Sequence, residues 1–195
     1  MENIDIFLKN NNTFELLNKY AYEDEHVHEK KVTIYALMIF DLLNKDMLTV
    51  FSHRNMLKYS SFFHDLGRFI NKKNHHKHTR YIILYDKYFD CLPYNLRSML
   101  SLIAGGHKKS IDKDIKYHDL HEQQIIMKLT SILRIADALD NRHNKNIAVK
   151  KIEVTPTELI IFMQEEDLSK ISRKLHKKSA LFKEYYNKEA VLKPL

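Results

Sequence analysis

Cysteine, glycine and proline are all scarce in this chain, and each scarcity excludes something. Cys91 is the only cysteine, so neither an internal disulfide nor a thiolate metal cage can form. Three glycines and three prolines in 195 residues argue against an all-β or loop-rich architecture. None of Gly67, Gly105 and Gly106 stands in a P-loop or a dinucleotide fingerprint, so glycine-rich phosphate cradles are excluded. Long hydrophobic runs are missing too. The longest, Ile34–Phe40, is far short of the ~20 apolar residues that a membrane span needs. The start, Met1-Glu2-Asn3-Ile4-Asp5, lacks the basic opening and apolar run of a signal peptide. The expectation is a soluble cytoplasmic protein of one domain with an appendage, or of two small domains. It is long enough to bury a core without staples.

Positive charge is what the chain has in excess. The net charge is +7, which fits an anionic ligand. A Lys-rich surface with no ligand would give the same balance.

The apolar pattern is mostly helical. Residues 1–22 read as a lead-in helix or two, with Ile6, Phe7, Phe14, Leu16 and Leu17 as contacts. Glu23-Asp24-Glu25 opens a long helix, where acidic residues suit the positive helix end. Val32, Tyr35, Ala36, Ile39, Phe40 and Leu43 repeat at helix period. Ile34, Leu37 and Met38 make that helix apolar all round, which predicts a central position. A third helix runs from about Ser52 to Asp65 and stops near Gly67. A fourth starts around His75, and Pro93 breaks the chain. A fifth covers Tyr94–Ala104, with Gly105-Gly106 as its C-cap. Residues 110–117 read as polar loop. The next helix spans about Leu120 to Leu139, with Ile125, Leu129, Ile132, Leu133 and Ala136 on its core side. After Asn141 the period changes. Val149–Val154 and Leu159–Met163 read as strands joined around Pro156. A basic amphipathic helix follows (Leu168, Ile171, Leu175, Phe182), then an apolar tail with Val191 and Leu192. The fold class is mainly α: a helical bundle over residues 1–143, and a small α+β appendage, a β-hairpin plus helix, over 144–195.

The chemistry-bearing residues come in the order His28, His64-Asp65, Asp137. Two imidazoles and two carboxylates suit Mn, Fe, Ni, Zn or Mg. An ion held this way with an open position can ionise a water and direct it at phosphorus. Adjacent helical residues point about 100° apart, so His64 and Asp65 share an ion only across their common edge, near the helix end. Asp137 stands in the apolar run Leu133–Leu139, on a polar stripe with Thr130, Arg134 and Asn141. A buried carboxylate is costly unless paired or metal-bound. An ion pair with Arg134 and no metal is the plainer explanation for Asp137, as a cap is for His28.

A second layer follows in His75-His76-Lys77-His78 and His107. One of the cluster with His107 could hold a second ion. His75 is the first choice, because Thr79 sits one turn on, and His76 or His78 could serve instead. Alternatively the cluster binds phosphate through His76, Lys77 and His78. Arg68, Lys77, Arg134 and Arg142 are candidate phosphate clamps, with Arg134 the best placed, one turn from Asp137. Lys72-Lys73 and Lys108-Lys109 read as solvated rim charge that steers an anion. Arg173-Lys174-Leu175-His176-Lys177-Lys178 reads as a solvated basic face.

Taken together, these segments resemble the HD-domain superfamily of helical metal-dependent phosphohydrolases. More narrowly they resemble the C-terminal half of the exopolyphosphatase / guanosine-pentaphosphate phosphohydrolase family. The resemblance rests on His28 leading into Val32–Leu43, on Phe62-Phe63-His64-Asp65-Leu66-Gly67, and on His75-His76-Lys77-His78-Thr79. It continues through Gly106-His107, Leu133–Asp140 and Leu181-Phe182-Lys183-Glu184-Tyr185-Tyr186, and covers about residues 24–195. It implies metal ligands at His28, His64, Asp65 and Asp137, and matches His75 and His107 to the extra histidines of di-metal HD enzymes. Gly106 departs from the family, which usually has an aromatic residue there. In the full-length family the phosphatase site lies in N-terminal actin-like domains, and the helical half helps bind the polyanion. Those domains are absent from this sequence, so the HD metal site would have to be its own active site.

Three functions are expected from this. The first is a phosphohydrolase with one or two divalent ions. In it Asp65 serves the chemistry, and Arg134 and Lys77 stabilise charge on the equatorial oxygens of a phosphate ester or anhydride. Its substrate is a nucleotide, an alarmone-like nucleotide or polyphosphate. The second is a non-catalytic polyphosphate- or nucleotide-binding module. The third is a subunit that works with a partner supplying actin-like domains. Nucleic acid is the less favoured ligand, no membrane partner is expected, and a homodimer is left open.

Overall fold

The computed structural model describes all residues except 1, 10, 12, 21–25, 45–50, 109, 141–148 and 165–167, and leaves the side chains of Phe14 and Lys170 aside. The acidic cluster at 23–25, Lys109, Asn141, Arg142 and the 143/144 boundary lie outside the described residues.

Two short helices lead in, α1 (Asp5–Leu8) and α2 (Thr13–Lys19). They are followed by α3 (Val27–Leu43), α4 (Phe51–Phe63), α5 (His75–Tyr85), α6 (Tyr94–Gly105) and α7 (Leu120–Leu139). Single 3-10 turns fill the connections at Leu66–Phe69, Lys87–Phe89 and Lys113–Tyr117. The last of these lies in the stretch expected to be loop. Asp112 initiates it by accepting from the Asp114 amide.

The hub of the bundle is α7. Asp119 caps it, its carboxylate accepting from the Glu122 amide at 2.8 Å, which satisfies one of the donors a helix start leaves over. Ile125, Ile126, Leu129, Ile132, Leu133, Ala136 and Leu139 are buried along it. It packs against α3, α4, α6 and the two C-terminal helices. Helix α3 is not the central one. Val32, Tyr35, Ala36, Ile39 and Phe40 face the core, but Ile34 is exposed and Leu37 and Met38 are half-buried. An apolar residue on the outer face does not draw that face inward when the neighbouring helices cover only the other one.

The C-terminal part is richer than a hairpin and one helix. β1 (Val149–Val154) and β2 (Glu158–Met163) pair antiparallel, with Val154 opposite Leu159. The basic segment divides at Ser179 into α8 (Leu168–Lys178) and α9 (Ala180–Tyr186). The apolar tail is β3 (Glu189–Pro194), parallel to β2, with Ile161 opposite Leu192. A parallel partner needs a crossover of a dozen or more residues, and α8 and α9 supply it. Both helices pack on α7, and their Ile171, Leu175 and Phe182 join one apolar cluster that begins at Ile4. No helix among the described residues is long and apolar enough to cross a membrane.

Gly106 is a cap of a different kind from the one expected. Its φ is −74°, in the right-handed region. What requires glycine is crowding: a Cβ there would lie 2.8 Å from the Leu102 carbonyl and 2.9 Å from Thr130 Cγ2.

Candidate metal centre

His64 and Asp65 lie just beyond α4, in the turn before Leu66–Phe69. Helix ends leave carbonyls unsatisfied. Here His64 Nδ1 donates to the Ser61 carbonyl at 2.6 Å. The same device recurs at the end of α6, where His107 Nδ1 donates to the Ala104 carbonyl at 2.7 Å. At the start of α5, His75 Nδ1 donates to the Lys72 carbonyl at 2.8 Å. In the first turn of α3, His28 Nδ1 meets Asp140 Oδ2 at 2.5 Å. A carbonyl can only accept, so the proton sits on Nδ1, and the neutral ring presents a lone pair at Nε2.

All four Nε2 atoms point into one small volume. His28 and His64 approach at 3.2 Å, and His75 and His107 at 2.9 Å. Burial lowers the pKa of His64, and lowers that of His107 well below the ordinary value. Lone pairs at this range repel unless a cation lies between them. Two nitrogens each about 2.1 Å from one ion, at a right angle, lie about 3.0 Å apart.

Asp65 joins the two pairs. Its Oδ2 is 3.7 Å from His28 Nε2 and 3.6 Å from His64 Nε2. Its Oδ1 is 3.1 Å from His75 Nε2 and 3.6 Å from His107 Nε2. Two buried triads result, His28/His64/Asp65 and Asp65/His75/His107, each with one donor atom per residue within 4.8 Å of the others. Nitrogen and carboxylate donors fit a divalent ion of the Mn, Fe, Ni, Zn or Mg kind.

Two features bring α5 onto the His64-Asp65 turn. Thr79 Oγ1 donates to the His64 carbonyl and accepts from the Gly67 amide, both at 2.9 Å. Gly67 lets the backbones touch, since a Cβ there would lie 2.1 Å from the His75 carbonyl oxygen.

Asp137 stands at the edge. Its Oδ1 is 3.4 Å from His28 Nε2, and its Oδ2 accepts from Lys178 of α8. Its partner is therefore not Arg134. Burial opposes its ionisation, but the Lys178 charge beside it holds its carboxyl well below the ordinary carboxylate range. Arg134 Nε instead donates to the Gly106 carbonyl at 2.8 Å, beside His107. Arg68 Nε is 4.0 Å from Asp65 Oδ2.

Lys77 is exposed. Two residues from His75 is about 200° around the helix, so it faces away from the cluster. His76 is buried, its ring 6.2 Å from that of His75, and His78 lies against Gly67.

Three residues of the site were not read from the sequence. Asp140 orients His28 and lies 3.6 Å from Lys31 Nζ; its signal was its place one turn after Asp137. Lys178 was read as part of a solvated face. Lys108, read as rim charge, feels the site: burial lowers its proton affinity, Lys178 and Arg68 lower it further, and Asp65 and Asp137 raise it. Arg68, Lys108 and Lys178 thus surround the cluster with positive charge.

No curated protein matches the chain. The Ppx/GppA phosphatase, domain III, family matches residues 10–185. The chain therefore belongs to the Ppx/GppA phosphatase domain III family.

Proposed function

We propose that this chain is an HD-type, metal-dependent phosphohydrolase acting on a phosphate ester or anhydride. The substrate class is a nucleotide, an alarmone-like nucleotide or polyphosphate. The observation that carries the reading is the convergence of four imidazole Nε2 atoms on the two oxygens of Asp65. That donor set is costly to bury without a cation, and its division into two triads would let two ions be held with Asp65 common to both. His28, His64 and Asp65, with Asp137 beside them, would hold one ion; Asp65, His75 and His107 would hold the other.

When bound, such ions supply a water acidified for attack on phosphorus and charge to oppose the phosphoryl oxygens. The chain's own groups do the rest. Asp140 and the carbonyls of Ser61, Lys72 and Ala104 fix the imidazole tautomers and orientations. Such partners typically matter 10–100-fold in metal affinity. Arg68, Lys108 and Lys178 take the anchoring of phosphoryl oxygens, in place of the outward-facing Lys77.

The test is elemental analysis of protein purified without chelator, with hydrolysis assayed on nucleoside polyphosphates and inorganic polyphosphate. Wild type holds one or two divalent ions and hydrolyses at least one substrate; Asp65→Ala loses both properties. Bound polyanion with no hydrolysis under any divalent ion would overturn the enzyme and leave a binding module.

A further inference from the structure

A second chain of catalytic-type residues lies away from the metal centre, on the side of the bundle where α6 and α7 begin. Ser98 Oγ is 2.9 Å from His118 Nε2, and His118 Nδ1 is 3.1 Å from Glu122 Oε2. That is a nucleophile bonded to a base, and the base bonded to a carboxylate. Glu122 accepts the Nδ1 proton, so the neutral ring takes the Ser98 hydroxyl proton at Nε2, the tautomer a serine nucleophile needs. Ser98 sits seven residues before Gly105, about 10 Å along the helix axis from the end of α6 that leads to His107.

Two further bonds hold the arrangement. Asn95 Nδ2 donates to Glu122 Oε1 at 2.6 Å, and Gln123 Nε2 donates to the His118 carbonyl at 2.7 Å. The His118 side chain is only 4% exposed, while Ser98 is half-buried. Ser98 lies in the second turn of α6. Tyr94 lies one turn earlier on the same face, where residues four apart are neighbours. Tyr94, Tyr117 and Leu120 are all highly exposed.

We propose that Ser98, His118 and Glu122 form an acyl-transfer site that hydrolyses small carboxylic esters. Ser98 Oγ adds to the ester carbonyl as its proton passes to His118 Nε2. The ester C–O bond breaks, and His118 returns the proton to the leaving alcohol. Water then adds to the acyl-serine, giving a proton to His118. The acyl–Oγ bond breaks, the proton returns to Ser98, and the carboxylic acid leaves. Glu122 acts as a positioning residue through His118.

The experiment is reaction of the full chain with a fluorophosphonate probe, read by intact mass and peptide mapping, with p-nitrophenyl acetate turnover in parallel. One adduct per chain on Ser98 is expected, lost in urea and in Ser98→Ala. It should persist with chelator present, which separates this site from the metal centre. General-base assistance is worth about 10²–10⁴-fold, so His118→Ala should slow labelling at least tenfold. Glu122→Gln should slow it and change its pH profile, whereas a merely structural Glu122 would leave the profile unmoved. An adduct absent, mapped to another residue, or formed equally fast in urea would overturn the proposal, provided that circular dichroism shows a folded wild type.

Discussion

Lys178, at the end of α8, makes an ion pair with Asp137 of α7, 41 residues earlier in the chain. The C-terminal part thereby places a cation beside the His/Asp cluster. Neither side chain is more than a quarter exposed, so the pair is screened less than a surface bridge. Removing the ammonium leaves a mostly buried carboxylate without its partner. Lys178→Ala is expected to lower stability by about 1–3 kcal/mol. As a phosphate anchor Lys178 should also matter to turnover. The variant should keep its metal by elemental analysis while kcat/KM falls about 10-fold or more, the worth of one charge-assisted hydrogen bond. Unchanged kcat/KM with lowered stability would make Lys178 a structural partner only.

The sharing of Asp65 between two imidazole pairs separates the expected metal losses. His28→Ala removes a donor from one triad only, and His75→Ala from the other. Each variant should retain about one ion where wild type holds two, a count to be made by elemental analysis after gel filtration, and Asp65→Ala should retain none. If both single-histidine variants lost all metal, the triads would be one site rather than two.

The bundle was legible where apolar period and caps agree. The bounds of α7 follow from the spacing from Leu120 through Leu139, and the end of α4 from the stop near Gly67; the start of α5 at His75 was legible, but its end at Tyr85, well before Pro93, was not. The candidate metal cluster was proposed through resemblance rather than spacing, since His28, His64 and His107 are brought together by tertiary packing. What escaped was non-local or conformational. Lys178 is one cation in a basic run, and only the packing of α8 on α7 singles it out. β3 is a short apolar tail whose strand character depends on a parallel partner beyond a two-helix crossover. Gly106 reads as a left-handed cap, but the approach of Thr130 is what demands it.

Gly67 holds the second imidazole pair in register with the first. A Cβ at this position meets the His75 carbonyl at 2.1 Å and the Thr79 amide at 2.3 Å. Both are backbone atoms, so no rotamer change relieves the clash and α5 itself must move. Overpacking of this kind costs about 1–3 kcal/mol or more. Moving α5 carries His75 away from Asp65 and His107. Gly67→Ala should therefore unfold at lower denaturant and lose the His75/His107 ion before the His28/His64 ion. Thr79→Val, which removes the bonds to Gly67 and His64 without adding bulk, should weaken metal binding in the same order. Retention of full metal content by Gly67→Ala would mean that the turn, rather than α5, yields to the added methyl group.

Burial of the imidazoles sets how the metal-free protein responds to acid. His64 and His107 are both shifted below 6.5 by desolvation. As pH falls through 6.5 the unfolded chain protonates these rings while the folded chain resists. The unfolded state then binds more protons, so stability falls as pH falls through this window. Above it both states carry neutral rings and this contribution is constant. Each ring adds at most about 1.4 kcal/mol per pH unit. Asp137 acts in the same direction at more acid pH. Burial opposes its ionisation, yet the Lys178 charge holds it well below 3.8. Its contribution is therefore present above 3.8 and lost as pH falls further. Thermal melts in chelator should show Tm level near neutrality and dropping steadily below about pH 6.5, with His107→Gln flattening part of the slope. The drop should shrink when a divalent ion is restored near neutral pH, because an ion on Nε2 competes with the proton there. A Tm independent of pH from 7 to 5 would mean that the rings titrate alike in the folded and unfolded chain.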